Sequence, residues 1–153
     1  MSSVISPKAE VSPKAKIGDG CKIFPFVYIE DDVVIGDNCV IFPFVSILNG
    51  TRMGSGNKIH QGSVLAALPQ DFNFVGEKSE LVMGDNNIVR ENVVINRATH
   101  RGCKTIIGSN NFLMEGAHLA TIPLWVTSVS LDMVQRLQAI VRLERERLSL
   151  QML

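Results

Sequence analysis

The sequence has no net charge, no long apolar run and no paired cysteine motif. Lys plus Arg and Asp plus Glu number 15 each in 153 residues. No basic or acidic excess therefore points to nucleic acid or an anionic membrane surface as a partner. No stretch approaches the roughly 20 consecutive apolar residues that span a bilayer, and the opening MSSVISPKAEVSPKAK lacks the apolar core of a signal peptide. Cys21, Cys39 and Cys103 are odd in number and form no CxxC pair. That argues against structural zinc and a disulfide framework, and for a reduced, cytoplasmic protein. A hydrophobic fraction of 46% excludes a disordered chain. The length suits one domain, or one domain with an appendage.

Aromatic residues are also scarce, at 6%, yet four of them sit in two copies of IFPFV, at Ile23–Val27 and Ile41–Val45. They mark a longer wave. Ile5, Val11, Ile17, Ile23, Ile29, Ile35, Ile41, Ile47, Met53, Ile59 and Leu65 recur at every sixth position without a break. Two positions before most of them stands a small or β-branched residue, among them Ala9, Ala15, Cys21, Val27, Val33, Cys39, Val45, Thr51 and Ser63. Gly18, Gly36 and Gly54 follow the aliphatic directly. The phase returns at Met83, Val89 and Ile95, and again at Ile107, Leu113 and Leu119. A period of six walks around a helix, because each residue turns by about 100°. Short strands joined by sharp corners satisfy it. Each hexad makes one side, with its aliphatic and its small residue pointing inward, and Gly, Asn and Asp turn the corners. Three hexads close one turn, which is the interval between the IFPFV copies. The reading is therefore an all-β chain folded as a parallel β-helix of hexapeptide repeats. Ile23 then stacks on Ile41 and Cys21 on Cys39, about 4.8 Å apart. The FPF runs form a ladder, read first as a packed corner and second as an exposed subunit contact.

Two segments break the wave: 66–80, AALPQDFNFVGEKSE, and 96–104, NRATHRGCK. Asp71, Glu77 and Arg101 stand where an aliphatic is due. Both read as polar loops thrown out from the solenoid, where binding groups tend to sit or where insertions are tolerated.

From about Val4 to Ala120 the chain resembles a specific family. ALPQDFNFVGE, MGDNNIVRENVVINRAT and GSNNFLMEGAHLA are similar, in order and spacing, to the UDP-N-acetylglucosamine O-acyltransferases that begin lipid A synthesis. These belong to the hexapeptide-repeat acyltransferase superfamily. The resemblance implies left-handed coils and a homotrimer with sites in the clefts between subunits. It implies transfer of a 3-hydroxyacyl group from acyl carrier protein to the 3-hydroxyl of UDP-N-acetylglucosamine, with no metal or other cofactor and no nucleic acid as partner. A histidine acting as general base would take the hydroxyl proton, typically worth ~10²–10⁴-fold in rate. By the same resemblance, Asp71 faces the sugar nucleotide and helps orient the base. Asn73 stands where the family often has lysine, and His118 matches the first histidine of an AHxAHD segment and lines the pocket. Read from the residues alone, Asp71 is equally a turn former, Asn73 a solvated loop residue and His118 a stacked, satisfied histidine.

The chain departs from the family at Thr121. AHLAT replaces AHxAHD, so threonine stands at the base position, and its hydroxyl accepts no proton near neutral pH. Residues 121–153 contain no glycine or asparagine and cannot turn the same corners. They are expected to form a separate, partly helical tail beyond a β-helix of residues 1–120. Good helix formers run from Ser130 to Leu150, with Val134, Leu137, Val141 and Leu148 near helical spacing. Such a helix could cap the open end of the coil. A one-base shift explains the change. In a second frame, codons compatible with TIPLWVTSVSLDMVQRL encode HDSVVGNECIVGHGATF, which restores histidine and aspartate and continues the hexads. The glycines spanning Trp125/Val126 and Met133/Val134 in that frame follow from the genetic code itself.

Four functions are compatible with these observations: a family member that is truncated and inactive, a remnant that still binds the nucleotide or the carrier protein, a purely structural trimeric β-helix, and a carbonic anhydrase of related fold using His60, His100 and His118 on zinc. The last would need three histidines converging across a subunit cleft. The DNA sequence across codons 118–140 is expected to be readable in the second frame as above; one codon incompatible with it overturns the frameshift.

Overall fold

A computed structural model describes residues 2–119 and the short strand Trp125–Val126. Among these residues are eighteen strands of two to four residues each, and they sort into three parallel sheets of six. The first face stacks Val4–Ile5, Lys22–Ile23, Val40–Ile41, Lys58–Ile59, Ile88–Val89 and Phe112–Leu113. The second stacks Glu10–Val11, Tyr28–Ile29, Ser46–Ile47, Val64–Ala67, Val94–Asn96 and His118–Leu119. The third stacks Lys16–Ile17, Val33–Ile35, Thr51–Met53, Glu80–Met83, Lys104–Ile107 and Trp125–Val126. Consecutive strands always fall on different faces, and every third strand returns to the same one. This is a three-sided parallel β-helix, and it is consistent with the left-handed coil of hexapeptide repeats.

The register follows the period. Ile23 lies opposite Ile41, Ile29 opposite Ile47 and Ile35 opposite Met53. Ile41, Ile47, Ile59, Leu65, Val89 and Ile95 are fully buried in the central columns, each worth about 1.5–3 kcal/mol of transfer free energy. The first coil is open, and Val4 and Ile5 remain 67% and 44% exposed. The last described strand breaks step. Val126 lies opposite Ile107, whereas the hexad places residue 125 there, so the phase slips by one position where the family resemblance has ended. The predicted helix over Ser130–Leu150 falls outside the described residues.

The small interior position carries more than volume. Ser3, Cys21, Cys39, Asn57, Asn87 and Asn111 succeed one another from coil to coil at one corner. Cys21 and Cys39 donate their thiols to the carbonyls of Gly36 and Gly54, at 3.1 and 3.2 Å. Burial pushes the Cys39 thiol up to about 11, so it stays protonated and unreactive. Asn57, Asn87 and Asn111 are buried and chained. The Asn57 side-chain Oδ1 accepts the Asn87 backbone N–H at 2.8 Å, and the Asn87 Oδ1 accepts that of Asn111 at 2.8 Å. The Asn57 amide group donates to the Gly54 and Gly84 carbonyls, and that of Asn87 to the Gly108 carbonyl, at 2.9–3.0 Å. Corner peptide groups that the strand ladders leave over are thereby satisfied in the interior.

Corners divide into two kinds. Gly36, directly after its aliphatic, has ordinary φ, but an added Cβ would stand 2.6 Å from the Gly54 carbonyl carbon; close approach of coils, not φ, demands glycine there. Two positions on, Gly20, Asn38, Gly56, Asn86 and Asn110 take positive φ, which glycine and asparagine tolerate best. Phe26 and Phe44 also take φ 64°. They stack on each other at 5.4 Å between ring centres, yet stay 54% and 63% exposed. The corner expected to be packed is therefore an exposed ladder. Phe24 and Phe42 stack beside them at 5.3 Å, and His60 continues that column at 4.5 Å from Phe42. His60 Nδ1 lies 3.6 Å from Glu91, which Arg90 holds at 3.0 Å. Burial, then the Arg90 charge, holds the His60 imidazole below its usual 6.5.

Two measurements probe these columns. Asn87→Leu takes the acceptor from the Asn111 backbone N–H and leaves the Gly108 carbonyl only the Gly84 N–H at 3.2 Å, and should cost about 1–3 kcal/mol for the donor left unsatisfied, read as a lower urea midpoint. Below about pH 6.5 the unfolded chain binds a proton at position 60 that the folded chain resists, so stability falls as pH falls through that value. His60→Phe should extend the aromatic column and make the loss of thermal midpoint between pH 7.5 and 5.5 smaller than in the unsubstituted chain.

Candidate functional site

Ile59 pairs with Val89, and Met83 with Ile107. In the plain coils such partners stand three hexads apart, as Ile23 and Ile41 do. Here they stand five and four hexads apart, so one turn carries two extra hexads of chain and the next carries one. Both excursions leave at the corner between the second and third faces. The first departs after Val64–Ala67, where Ala66 is buried with φ 58° and the register against Val94–Asn96 shifts. It returns at Glu80. The second runs between Val94–Asn96 and Lys104–Ile107. Because each excursion is a whole number of hexads, the aliphatic phase survives them numerically although neither forms a coil side.

The two excursions interlock. The Arg97 N–H donates to the Ala67 carbonyl at 3.0 Å, and the Gly102 N–H to that of Lys78 at 3.0 Å. Ser79 Oγ donates to the Ala98 carbonyl. Ala98 and Thr99 are buried, so the first half of the second segment is tucked beneath the first excursion, while His100, Arg101 and Gly102 stay exposed. The first does project. Leu68, Phe72 and Val75 are 62%, 108% and 84% exposed, and its outward surface is more apolar than a polar loop implies. Its shape is set locally. Asp71 Oδ1 accepts the Asn73 N–H at 2.9 Å, and the Asp71 carbonyl accepts that of Phe74 at 3.0 Å. Glu77 accepts the Val75 N–H at 2.9 Å, which holds its carboxyl below the usual range. Arg97 stacks under the Phe74 ring at 5.6 Å and donates to the Asn49 carbonyl at 3.1 Å, with its Nε buried and unpaired.

His118 stands on the second face, one coil beyond, opposite Val94. Its Nε2 meets Asn96 Oδ1 at 2.6 Å, and Asn96 Nδ2 donates to the Leu68 carbonyl at 2.7 Å. The base of the projecting loop and His118 are thus joined through one buried amide. Asp71 serves as the turn former of its own loop in these bonds, and among the described residues no hydrogen bond or ion pair joins it to His118. Asn73 is exposed. Thr121, the expected base position, lies outside the described residues. Asn96 and Arg97 escaped the sequence reading because both fall in NRAT, at the edge of a break in the wave.

The three histidines occupy different surroundings: His60 in the aromatic column, His100 exposed near Glu77, His118 on Asn96. Among the described residues no group of three or more histidine, cysteine or carboxylate side chains is placed to hold a metal, and no helix is long and apolar enough to cross a membrane. A groove of about 420 Å³ lies on the first coils, lined by Glu10, Tyr28, Glu30, Asp31 and Asn49 among others. Its carboxylates, of which Glu30 foremost pushes the Tyr28 hydroxyl up, would repel a diphosphate.

Residues 14–41 and 32–67 match the family described as bacterial transferase hexapeptide (six repeats). The chain is 47% identical over 116 residues to an acyl-[acyl-carrier-protein]–UDP-N-acetylglucosamine O-acyltransferase of Chlorobaculum parvum, covering 76% of this chain and 44% of that protein. It is likewise 47% identical over 114 residues to that of Akkermansia muciniphila, covering 74% and 44%. The crystal structure of a UDP-N-acetylglucosamine acyltransferase from Bacteroides fragilis superposes with a TM-score of 0.75 at 53% identity, covering 77% of this chain and 46% of that one. The chain therefore spans a little under half the length of these relatives. Over about three-quarters of its own length it matches the UDP-N-acetylglucosamine O-acyltransferase family.

Proposed function

We propose that residues 1–120 are the nucleotide-facing coils of an O-acyltransferase that moves a 3-hydroxyacyl group from acyl carrier protein to the 3-hydroxyl of UDP-N-acetylglucosamine, and that this chain binds without turning over. The carrying observation is convergence at one corner. The ALPQDFNFVGE loop, the NRAT segment and His118 of LMEGAH are far apart in sequence, and they are bonded to each other through Asn96. These are the segments by which the chain resembles the family.

The chemistry explains the inactivity. Attack of a sugar hydroxyl on a thioester forms an ester C–O bond and breaks the C–S bond. The hydroxyl proton must leave to a base, and the carrier's thiolate leaves and is reprotonated. A neutral imidazole is suited to take that proton. Thr121, at the family's base position, is not. His118 precedes that position and is engaged to Asn96 through one nitrogen. Within this reading, Asp71 and Asn73 face the nucleotide from the projecting loop. In the same reading the coil winds left-handed, the assembly is a homotrimer with sites between subunits, and the setting is cytoplasmic; the tail expected over 121–153 lies outside the described residues except for Trp125–Val126, which pairs with the third face. The exposed Leu68, Phe72 and Val75 favour a shared cleft, since apolar side chains on a projecting loop gain by meeting a neighbouring surface.

Addition of millimolar UDP-N-acetylglucosamine should raise the thermal midpoint of the chain, because a ligand that binds only the folded state stabilises it by mass action. Incubation with 3-hydroxyacyl carrier protein should yield no acylated sugar nucleotide. No rise in midpoint at saturating ligand favours a bare scaffold; measurable transfer overturns the role assigned to Thr121.

A further inference from the structure

We infer that Asn96 is a positioning residue that holds His118 as the Nε2–H tautomer, leaving Nδ1 as an acceptor for a hydroxyl or amide N–H of the bound ligand. The argument begins with the amide. Asn96 is 1% exposed, and its backbone carbonyl is anchored by Thr105 Oγ1 at 3.0 Å. Among the described residues its side-chain amide has two hydrogen-bond partners, the Leu68 carbonyl oxygen at 2.7 Å and His118 Nε2 at 2.6 Å. A carbonyl oxygen can only accept, so the amide must present its NH₂ to Leu68. The opposite orientation would set two oxygen acceptors against each other in a buried site, leaving both desolvated and unpaired. With NH₂ committed, Oδ1 faces the imidazole, and only a donor fits at that distance. Nε2 therefore carries the proton, and in a neutral imidazole Nδ1 then holds the lone pair.

Two consequences follow. The tautomer of His118 is set by the first residue of the projecting loop, since the Leu68 carbonyl orients the amide. And a neutral His118 discriminates by chemistry: it can receive a hydroxyl or an amide N–H, which an acetamido sugar offers, but an ionised phosphate oxygen has no proton to give. Only the imidazolium would donate there. The identity of the ligand rests on the function proposed above; the tautomer does not.

The test reads the ring nitrogens of His118 by long-range ¹H–¹⁵N NMR on the full chain at about pH 7.5, assigned with His118→Gln. Without ligand, the Nε2–H pattern is expected. Asn96→Asp retains an acceptor for Nε2 and should keep that pattern, while losing the donor to Leu68, so that protease cleaves the 68–79 loop faster. Asn96→Leu, with its β-sheet circular dichroism checked, should lose both, giving mixed tautomers and a protease-sensitive loop. An Nδ1–H pattern in the unsubstituted chain, or an unchanged Nε2–H pattern in Asn96→Leu, overturns the inference. UDP-N-acetylglucosamine should then shift the Nδ1 resonance, and sulfate, which carries no proton at this pH, should not; a shift with sulfate overturns the donor preference. If UDP-N-acetylglucosamine moves neither this resonance nor the thermal midpoint, the nucleotide reading fails, and the tautomer is judged on the ligand-free spectra alone.

Discussion

Coil-on-coil registry is the constraint from which everything else in this molecule follows. Each side of the triangle has room for one aliphatic and one small residue, and each must sit on its counterpart one turn away. Ladder hydrogen bonds run between coils: the Lys22 N–H reaches the Cys39 carbonyl and the Tyr28 N–H that of Val45, both at 2.9 Å. No strand can therefore be satisfied alone, and a change in one coil is felt by its two neighbours. The interior asparagine chain extends the same logic to the corners, where an amide side chain replaces the missing ladder bond.

Such a scaffold is rigid and offers little surface relief. Chemistry must be placed where the registry is interrupted without being lost. Here two consecutive turns are enlarged at the same corner, so the second excursion fills the floor beneath the first. Burial of Ala98 and Thr99, the Arg97 stack beneath Phe74 and the amide link from Leu68 to His118 all arise from that superposition. The result is a projecting loop held at its base, facing a histidine on the next coil. A preorganised loop of this kind loses less entropy on binding than a free one.

The outer face follows different energetics from the core. Arg52 bridges Asp32 at 2.6 Å and Glu80 at 3.0 Å across three coils, but partly solvated pairs of this type contribute little each. The aromatic columns contribute more, since stacked pairs add about 0.5–1.5 kcal/mol beyond area burial. Phe26 and Phe44 retain left-handed φ that glycine or asparagine adopts at Gly62, Asn92 and Gly116 in the same column. The coil thus imposes its corner geometry whatever side chain stands there.

The sequence by itself determined the architecture, because a period of six with small residues two positions earlier is compatible with few other folds. It identified the columns through Ile23, Ile29 and Ile35, the locations of both interruptions and the family. It also marked Thr121, since the identity of a residue needs no coordinates. What it did not determine was how each interruption lies. A short polar run reads alike whether it projects or is tucked under a neighbour, and NRAT proved to be largely buried. Only the tertiary structure decided that Asn96 joins Leu68 to His118. Those partners lie far from it along the chain, on either side, and are brought together by the lengths of two excursions whose paths no periodicity describes. The physical reason is that registry is a local, repeating rule, while the site is built where that rule is suspended.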